Sequence, residues 1–189
     1  SVDTWGEQAE YIRNGLEFNR FWDNMDKILS SLDRAVVTIM STFNALSVPN
    51  YDKLLQGVYD LKLKHASPDR YWNSALFLDS SYLRFPQHQT VQVLPREWDS
   101  KILQHAQYAD YLALPLFQKK YVGYSDIEIQ KITRIYDWAQ STDEEKVLQQ
   151  RYNFGKYFQE HDKRRGTDFC KTFPELEDFY KYCLEIKLW

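Results

Sequence analysis

The sequence predicts an α/β protein with parallel strands, followed by a helical region, and three observations carry this. A charge-free, largely β-branched run, Ala35 to Phe43, lies between two stretches of helical periodicity. A second extended run, about Ala75 to Leu78, follows the second of those helices. From Arg96 to the end the apolar spacing is helical throughout. Strands separated by amphipathic helices imply parallel crossovers. Three or four parallel strands with helices on one side form an arc. The expected architecture is therefore an incomplete (β/α) barrel, its last three or so βα units in residues 1–95, with a helical extension over residues 96–189.

The elements follow in order. Ser1-Val2-Asp3 reads as the end of a strand, so the chain is expected to be the later part of a larger α/β protein. Phe18, Phe21, Trp22, Met25, Ile28, Leu29 and Leu32 recur at three- and four-residue steps and form one helix face. Ala35 to Phe43 has little polar alternation, which predicts a strand buried on both faces. Asn44 to Pro49 is a loop. Tyr51, Leu54, Leu55, Val58 and Leu61 give a second helix face. Lys62, Lys64 and His65 place positive charge near its end, where the helix dipole favours it.

Ser67-Pro68-Asp69 is a turn, and a third strand lies within Trp72 to Asp79. Thr90 to Leu94 alternates and stops at Pro95, which predicts a half-exposed or edge strand. In the helical region, Trp98, Ile102, Leu103 and Ala106 share a face. Ser125 with Glu128, Thr142 with Glu145, and Thr172 with Glu175 each have the spacing of a capping box.

Composition narrows the function classes. A hydrophobic fraction of 43% with six Trp, fourteen Tyr and eleven Phe excludes a disordered chain. A net charge of −3 gives no general attraction for nucleic acid or anionic membrane, so neither is an expected partner. No apolar run approaches the roughly 20 residues of a membrane span. The two cysteines, Cys170 and Cys183, make no disulfide framework, and a cytoplasmic protein is expected. The four histidines are scattered without metal-ligand spacing, so no metal ligands are assigned. No Walker loop, G-x-G-x-x-G or G-x-S-x-G occurs. His161 to Gly166 reads as a solvated helix end with Gly166 as its stop.

Ligands of parallel α/β proteins bind at the carboxyl ends of the strands. Three places qualify here. They are Ser1, Asp3 and Thr4 with Glu7, Arg13 and Asn14 in the loop beyond, then Ser41, Thr42 and Asn44, then Asp79, Ser80 and Ser81. Such a set suits a ligand with hydroxyls and a carboxylate: Asp3 can accept from hydroxyls and Arg13 can pair with the carboxylate. Each residue also has an ordinary structural reading. Ser1-Val2-Asp3 is a strand exit, Arg13 a solvated charge and Asn44 a turn residue.

The order of motifs resembles a known family. Ser1-Val2-Asp3-Thr4-Trp5-Gly6-Glu7, Tyr11-Ile12-Arg13-Asn14-Gly15 and Phe18 with Phe21-Trp22-Asp23-Asn24 resemble the fourth strand, loop and helix of radical S-adenosylmethionine enzymes. Val37 to Val48 is similar to that family's fifth strand and its polar exit. Lys163 to Phe169, with Thr172 to Leu176, is similar to the end of the twitch-domain subgroup. The resemblance implies a partial (β/α)6 barrel in which a [4Fe–4S] cluster and S-adenosylmethionine generate a radical. It implies that Ser1 and Asp3 contact polar groups of S-adenosylmethionine, that Arg13 meets its carboxylate, and that Asn44 lies near the nucleoside.

These 189 residues hold neither a Cys-x-x-x-Cys-x-x-Cys segment nor the family's Gly-Gly-Glu. The resemblance therefore places the cluster on a missing amino-terminal half, the expected partner, and neither cofactor should bind tightly to this chain alone. A small molecule or peptide is the expected substrate. The alternative is a non-enzymatic α/β-plus-helical binding or interaction module.

Overall fold

The computed structural model describes residues 1–67, 75–113, 122–142 and 144–188. Two strands, β1 (Val37–Phe43) and β2 (Leu76–Tyr82), run parallel in a register from Val37 opposite Leu76 to Phe43 opposite Tyr82. Helix α3 (Tyr51–Lys64) joins them as a βαβ crossover. On the other edge of β1, the Val2 N–H donates to the Met40 carbonyl at 3.0 Å. The opening residues thus lie beside β1 and run in its direction. The chain is mixed α/β and mostly helical, with parallel strands.

Burial corrects the reading of β1. Ile39, Ser41 and Phe43 are buried, while Thr38 is exposed and Met40 is 58% exposed. The strand is covered on one face, where Tyr51 at the start of α3 packs against Phe43 and Ser41, and open on the other. Absence of charge in a sequence does not require two covered faces: Thr38 and Met40 tolerate solvent. Strand β2 also runs past Leu78 to Tyr82, because the register with β1 keeps Asp79, Ser80 and Ser81 paired despite their weak strand preference.

Thr90 to Leu94 is not a strand. Single 3₁₀ turns span Gln87–Gln89 and Val91–Val93. Their N–H groups are satisfied locally, Val93 by the Thr90 carbonyl and Leu94 by the Val91 carbonyl, each at 3.2 Å. Val91, Val93 and Leu94 are all buried, so the alternation reflects a folded turn wedged into the core. Pro86 and Pro95 bracket it and lack the N–H that a strand ladder would use.

Helices α1 (Gly6–Ile12) and α2 (Phe18–Ser31) form an opening hairpin. Trp5 meets Phe18 and Trp22 edge-on, with centroids 4.7 and 4.8 Å away. This cluster sits over Gly57 of α3, where an added Cβ would overlap both Trp5 and Trp22. In the second half, α4 (Asp99–Tyr111) and α5 (Asp126–Gln140) pack against each other, and α5 lies on β2. Then come α6 (Glu144–Arg165), the single turn α7 (Phe169–Thr172) and α8 (Glu177–Glu185). Gly166 ends α6 with φ +65°, a left-handed stop natural to glycine.

The Thr172 capping box does not form. Asp168 takes the cap one turn earlier by accepting from Lys171 N–H at 3.0 Å, and Thr172 donates back to the Asp168 carbonyl. The Thr142 hydroxyl likewise donates back to Ala139, and its expected partner Glu145 lies outside the described side chains. One hydrophobic core runs through both halves of the chain. Two polar ties reinforce it: Gln8 donates to the Thr172 carbonyl at 3.0 Å, and the Tyr11 hydroxyl donates to Asp162 at 2.8 Å.

The Ser125 capping box does form, and it carries more than a helix start. Its Glu128 is buried and ion-paired to Lys62 of α3 at 2.8 Å, with both side chains almost inaccessible. Lys62 does lie in the last turn of α3, as expected, and its burial against Glu128 is what spacing did not reveal. Glu128 Oε1 also accepts the Leu78 N–H of β2 at 2.8 Å. Removing one member leaves an uncompensated buried charge. Lys62→Ala is expected to lower stability by about 3–5 kcal/mol. Lys64→Ala, which breaks the exposed pair with Asp26, should change it by less than about 1 kcal/mol. Urea unfolding midpoints of the two variants measure the contrast.

Candidate functional site

The parallel register sets two of the sequence's three polar exits side by side. Met40 lies opposite Asp79, Ser41 opposite Ser80, and Thr42 opposite Ser81. Asp3 joins this edge from the neighbouring segment. Its Oδ1 accepts the Thr42 N–H at 2.8 Å, where a continued parallel ladder would place a backbone carbonyl. Arg13, just beyond α1, grips the same carboxylate in two bonds, Nε to Oδ2 at 2.9 Å and Nη2 to Oδ1 at 3.0 Å. Asp3 is buried, whereas the Arg13 side chain is about one-third exposed. The pair therefore presents a positioned guanidinium at the rim, with Nη1 outside the two-bond pair.

Asn44 directly follows β1. Its Oδ1 accepts from Leu46 N–H at 2.9 Å, its Nδ2 donates to the Thr42 carbonyl at 3.1 Å, and its own N–H donates to the Ser47 hydroxyl. These bonds cap the 3₁₀ turn Ala45–Asn50. Ser1 is exposed beside the Val2–Met40 rung. Asp3, Arg13 and Asn44 are thus brought together around Thr42, with Ser1 at the edge of the group. Beneath them the Tyr51 hydroxyl lies 3.3 Å from Ser41 and 2.6 Å from Ser80. Complete burial pushes the Tyr51 phenol up to about 12, so it stays a neutral hydrogen-bonding group.

At the third exit the structure adds residues that spacing does not reveal. Asp79 pairs with Lys131 of α5 at 2.6 Å. Around this pair Ser80, Ser81, Tyr82, Arg84 and Arg134 line a cleft of about 400 Å³. Lys131 and Arg134 are three apart on α5, which marks one helix face. Only the packing of α5 across β2 shows that this face borders the strand exit.

Among the described residues no cluster of three potential ligands could hold a metal ion. Cys170 is half-buried, and Cys183 is buried in the core with its thiol pushed up to about 12 by desolvation. Neither suits the thiolate ligation that an iron–sulfur cluster needs, so a [4Fe–4S] cluster does not fit the residues of this chain. No helix among the described residues is long and apolar enough to cross a membrane. In comparisons with known proteins, no family model, no curated protein and no solved structure matches the chain.

A second depression, about 590 Å³, lies between α3 and α4 and is lined by Asp52, Gln56, Lys101, His105 and Tyr108 among others. His105 is its buried member. Its Nε2 lies 2.8 Å from the Val48 carbonyl, so the neutral ring donates there. Burial lowers its pKa to about 4. The unfolded chain takes up this proton below about pH 6.5, the folded chain only near pH 4. Stability contributed by the neutral ring is therefore lost as pH falls through that window, by about 3 kcal/mol in all. His105→Gln keeps a donor and cannot titrate. Its urea midpoint should fall less than that of the parent between pH 7 and pH 4.5. His88 and His161, lowered in the same direction by burial, and Asp26, held down by Lys64 and His65, contribute to the residual slope.

Proposed function

We propose that this chain is the carboxyl-terminal portion of a radical S-adenosylmethionine enzyme, whose strand ends help hold S-adenosylmethionine beside an unidentified small-molecule or peptide substrate. One observation carries the reading: two parallel strands, with the opening segment beside β1, gather their polar groups at one end of the sheet, with Asp3 and Arg13 at its rim. The uncovered sheet face supports it. Thr38 and Met40 point away from α3, on the side that a partial barrel would turn toward its interior. The order of the resembling motifs, from Ser1 to Leu176, is the other support.

Within this reading the geometry refines the residue roles. Both Asp3 oxygens are engaged by Arg13 and Thr42, so Asp3 acts mainly by aiming the guanidinium. Arg13 is the group that meets a ligand carboxylate. Asn44 shapes the wall next to the nucleoside through the turn it caps, and Ser1 lines the outer rim. The cluster ligands lie on a segment outside these residues. The second reading, an α/β-plus-helical interaction module, is favoured by one fact: Asp3 and Asn44 spend their polar atoms within the fold.

The test uses the protein extended toward its amino terminus. The preceding residues should contain a Cys-x-x-x-Cys-x-x-Cys segment, and anaerobic reconstitution should yield S-adenosylmethionine cleavage. Arg13→Ala should weaken S-adenosylmethionine binding about tenfold or more, as expected for loss of a charge-assisted pair. Arg13→Lys should restore part of that affinity. Absence of the three cysteines, or unchanged binding in Arg13→Ala, overturns the proposal.

A further inference from the structure

The cleft at the carboxyl end of β2 has charge that the fold does not use. Three cations, Arg84, Lys131 and Arg134, face one carboxylate, Asp79. Lys131 is committed to Asp79 at 2.6 Å. Arg84 and Arg134 have no carboxylate partner among the described residues, and both are exposed. We propose that this cleft binds an oxyanion, a carboxylate or a phosphate group, between the guanidinium groups of Arg84 and Arg134.

Arg84 is already posed for such a role. Its guanidinium carbon sits 5.2 Å from the Tyr82 ring centroid, and its Nη2 donates to the Tyr82 hydroxyl at 3.1 Å. Tyr82 in turn stacks on Trp138 of α5, centroids 4.9 Å apart and planes 16° from parallel. A guanidinium resting on a stacked pair of rings loses less freedom when it takes a ligand. Its remaining N–H groups offer the planar fork that matches an oxyanion. Arg134 lies one turn beyond Lys131 on the same face of α5. The Ser81 hydroxyl donates to the Ser41 carbonyl and keeps an acceptor, so it adds polarity without competing charge.

Position gives the site its meaning. Ser81 lies opposite Thr42, whose N–H is held by Asp3, so the cleft and the Arg13 rim flank the same carboxyl end of the sheet, one on each side. The anion site stands on the cleft's own geometry. That the anion belongs to the substrate rests on the radical S-adenosylmethionine reading.

The test separates the two. The 189-residue chain, labelled with ¹⁵N, is titrated with inorganic phosphate and, separately, with glutarate. Binding on the order of 1 mM should shift the amide signals of Ser81, Tyr82 and Arg84 with at least one probe. The stronger probe identifies the class of anion. Arg84→Gln combined with Arg134→Gln should weaken binding about tenfold or more. Arg20→Gln, on the exposed face of α2, should leave it unchanged. Circular dichroism confirms that each variant is folded. No shift with either probe, or a shift that survives the double substitution, overturns the site. Because these titrations use no S-adenosylmethionine, they succeed or fail independently of the cofactor reading. In the extended protein the double variant should leave S-adenosylmethionine affinity intact, whereas Arg13→Ala should not.

Discussion

Glu128 receives more bonds than any other carboxylate described in the fold. Lys62 reaches both of its oxygens, Leu78 N–H reaches Oε1, and the N–H and hydroxyl of Ser125 reach Oε2. The Lys62 ammonium also donates to the Gly123 carbonyl and lies 4.9 Å from the Tyr124 ring centroid. One buried group thereby joins α3, β2 and the start of α5. A buried ion pair seldom exceeds an apolar pair in net stability, but half of one is strongly unfavourable. Its consequence is placement: α5 can dock on β2 only where Glu128 meets Lys62. Lys131 follows Glu128 by three residues and Arg134 by three more, so the same docking brings both cations to the strand exit.

The opposite edge of the sheet repeats the device in a weaker form. Asp3 accepts the outward Thr42 N–H as Glu128 accepts the outward Leu78 N–H. Each carboxylate thus ends a hydrogen-bonded ladder and is neutralised by a cation from a helix or the loop after one. A strand edge closed by side chains offers no template for another strand there. The two differ in depth. Lys62 is enclosed, and its charge is spent inside the fold. Arg13 is about one-third exposed and retains bonding capacity toward solvent. Depth therefore separates a structural pair from one that can meet a ligand.

Much of this order was legible in the sequence, and the limits have physical causes. Helices α2 to α5 announced themselves through spacing, and β1 through its β-branched run. The Ser125 box was legible because capping is local, a matter of four consecutive residues. Thr90 to Leu94 misled because alternation records burial, not backbone shape, and a 3₁₀ turn can bury every apolar residue of V-x-V-L. Of the site, the strand-exit groups Asp3, Asn44 and Asp79 to Ser81 could be read from their place after apolar runs. Lys131 and Arg134 could not, because their relation to Asp79 depends on a contact between elements about fifty residues apart. Nor could the pairing of Arg13 with Asp3, since it depends on how α1 returns the chain to the sheet.

The division of polar side chains at the strand ends is what makes the edge a site rather than a collection of loop residues. Alternation sends Ser41 and Ser80 into the core and Thr42, Asp79 and Ser81 to the other face. A slip of one residue would invert both sets. Tyr51 opposes that slip. Its hydroxyl is buried, and its only described partners are the two inward serines, one from each strand. Advancing either strand by one residue would put Met40 or Asp79 in place of a serine hydroxyl and leave the phenol unsatisfied, a loss of about 1–3 kcal/mol. The opposite slip would bring Thr42 or Ser81 there, and it is opposed instead by the inversion of the apolar set that packs under the sheet. Phenol and core together hold the register, and the register delivers Thr42 to Asp3 on one side and Asp79 to Lys131 on the other.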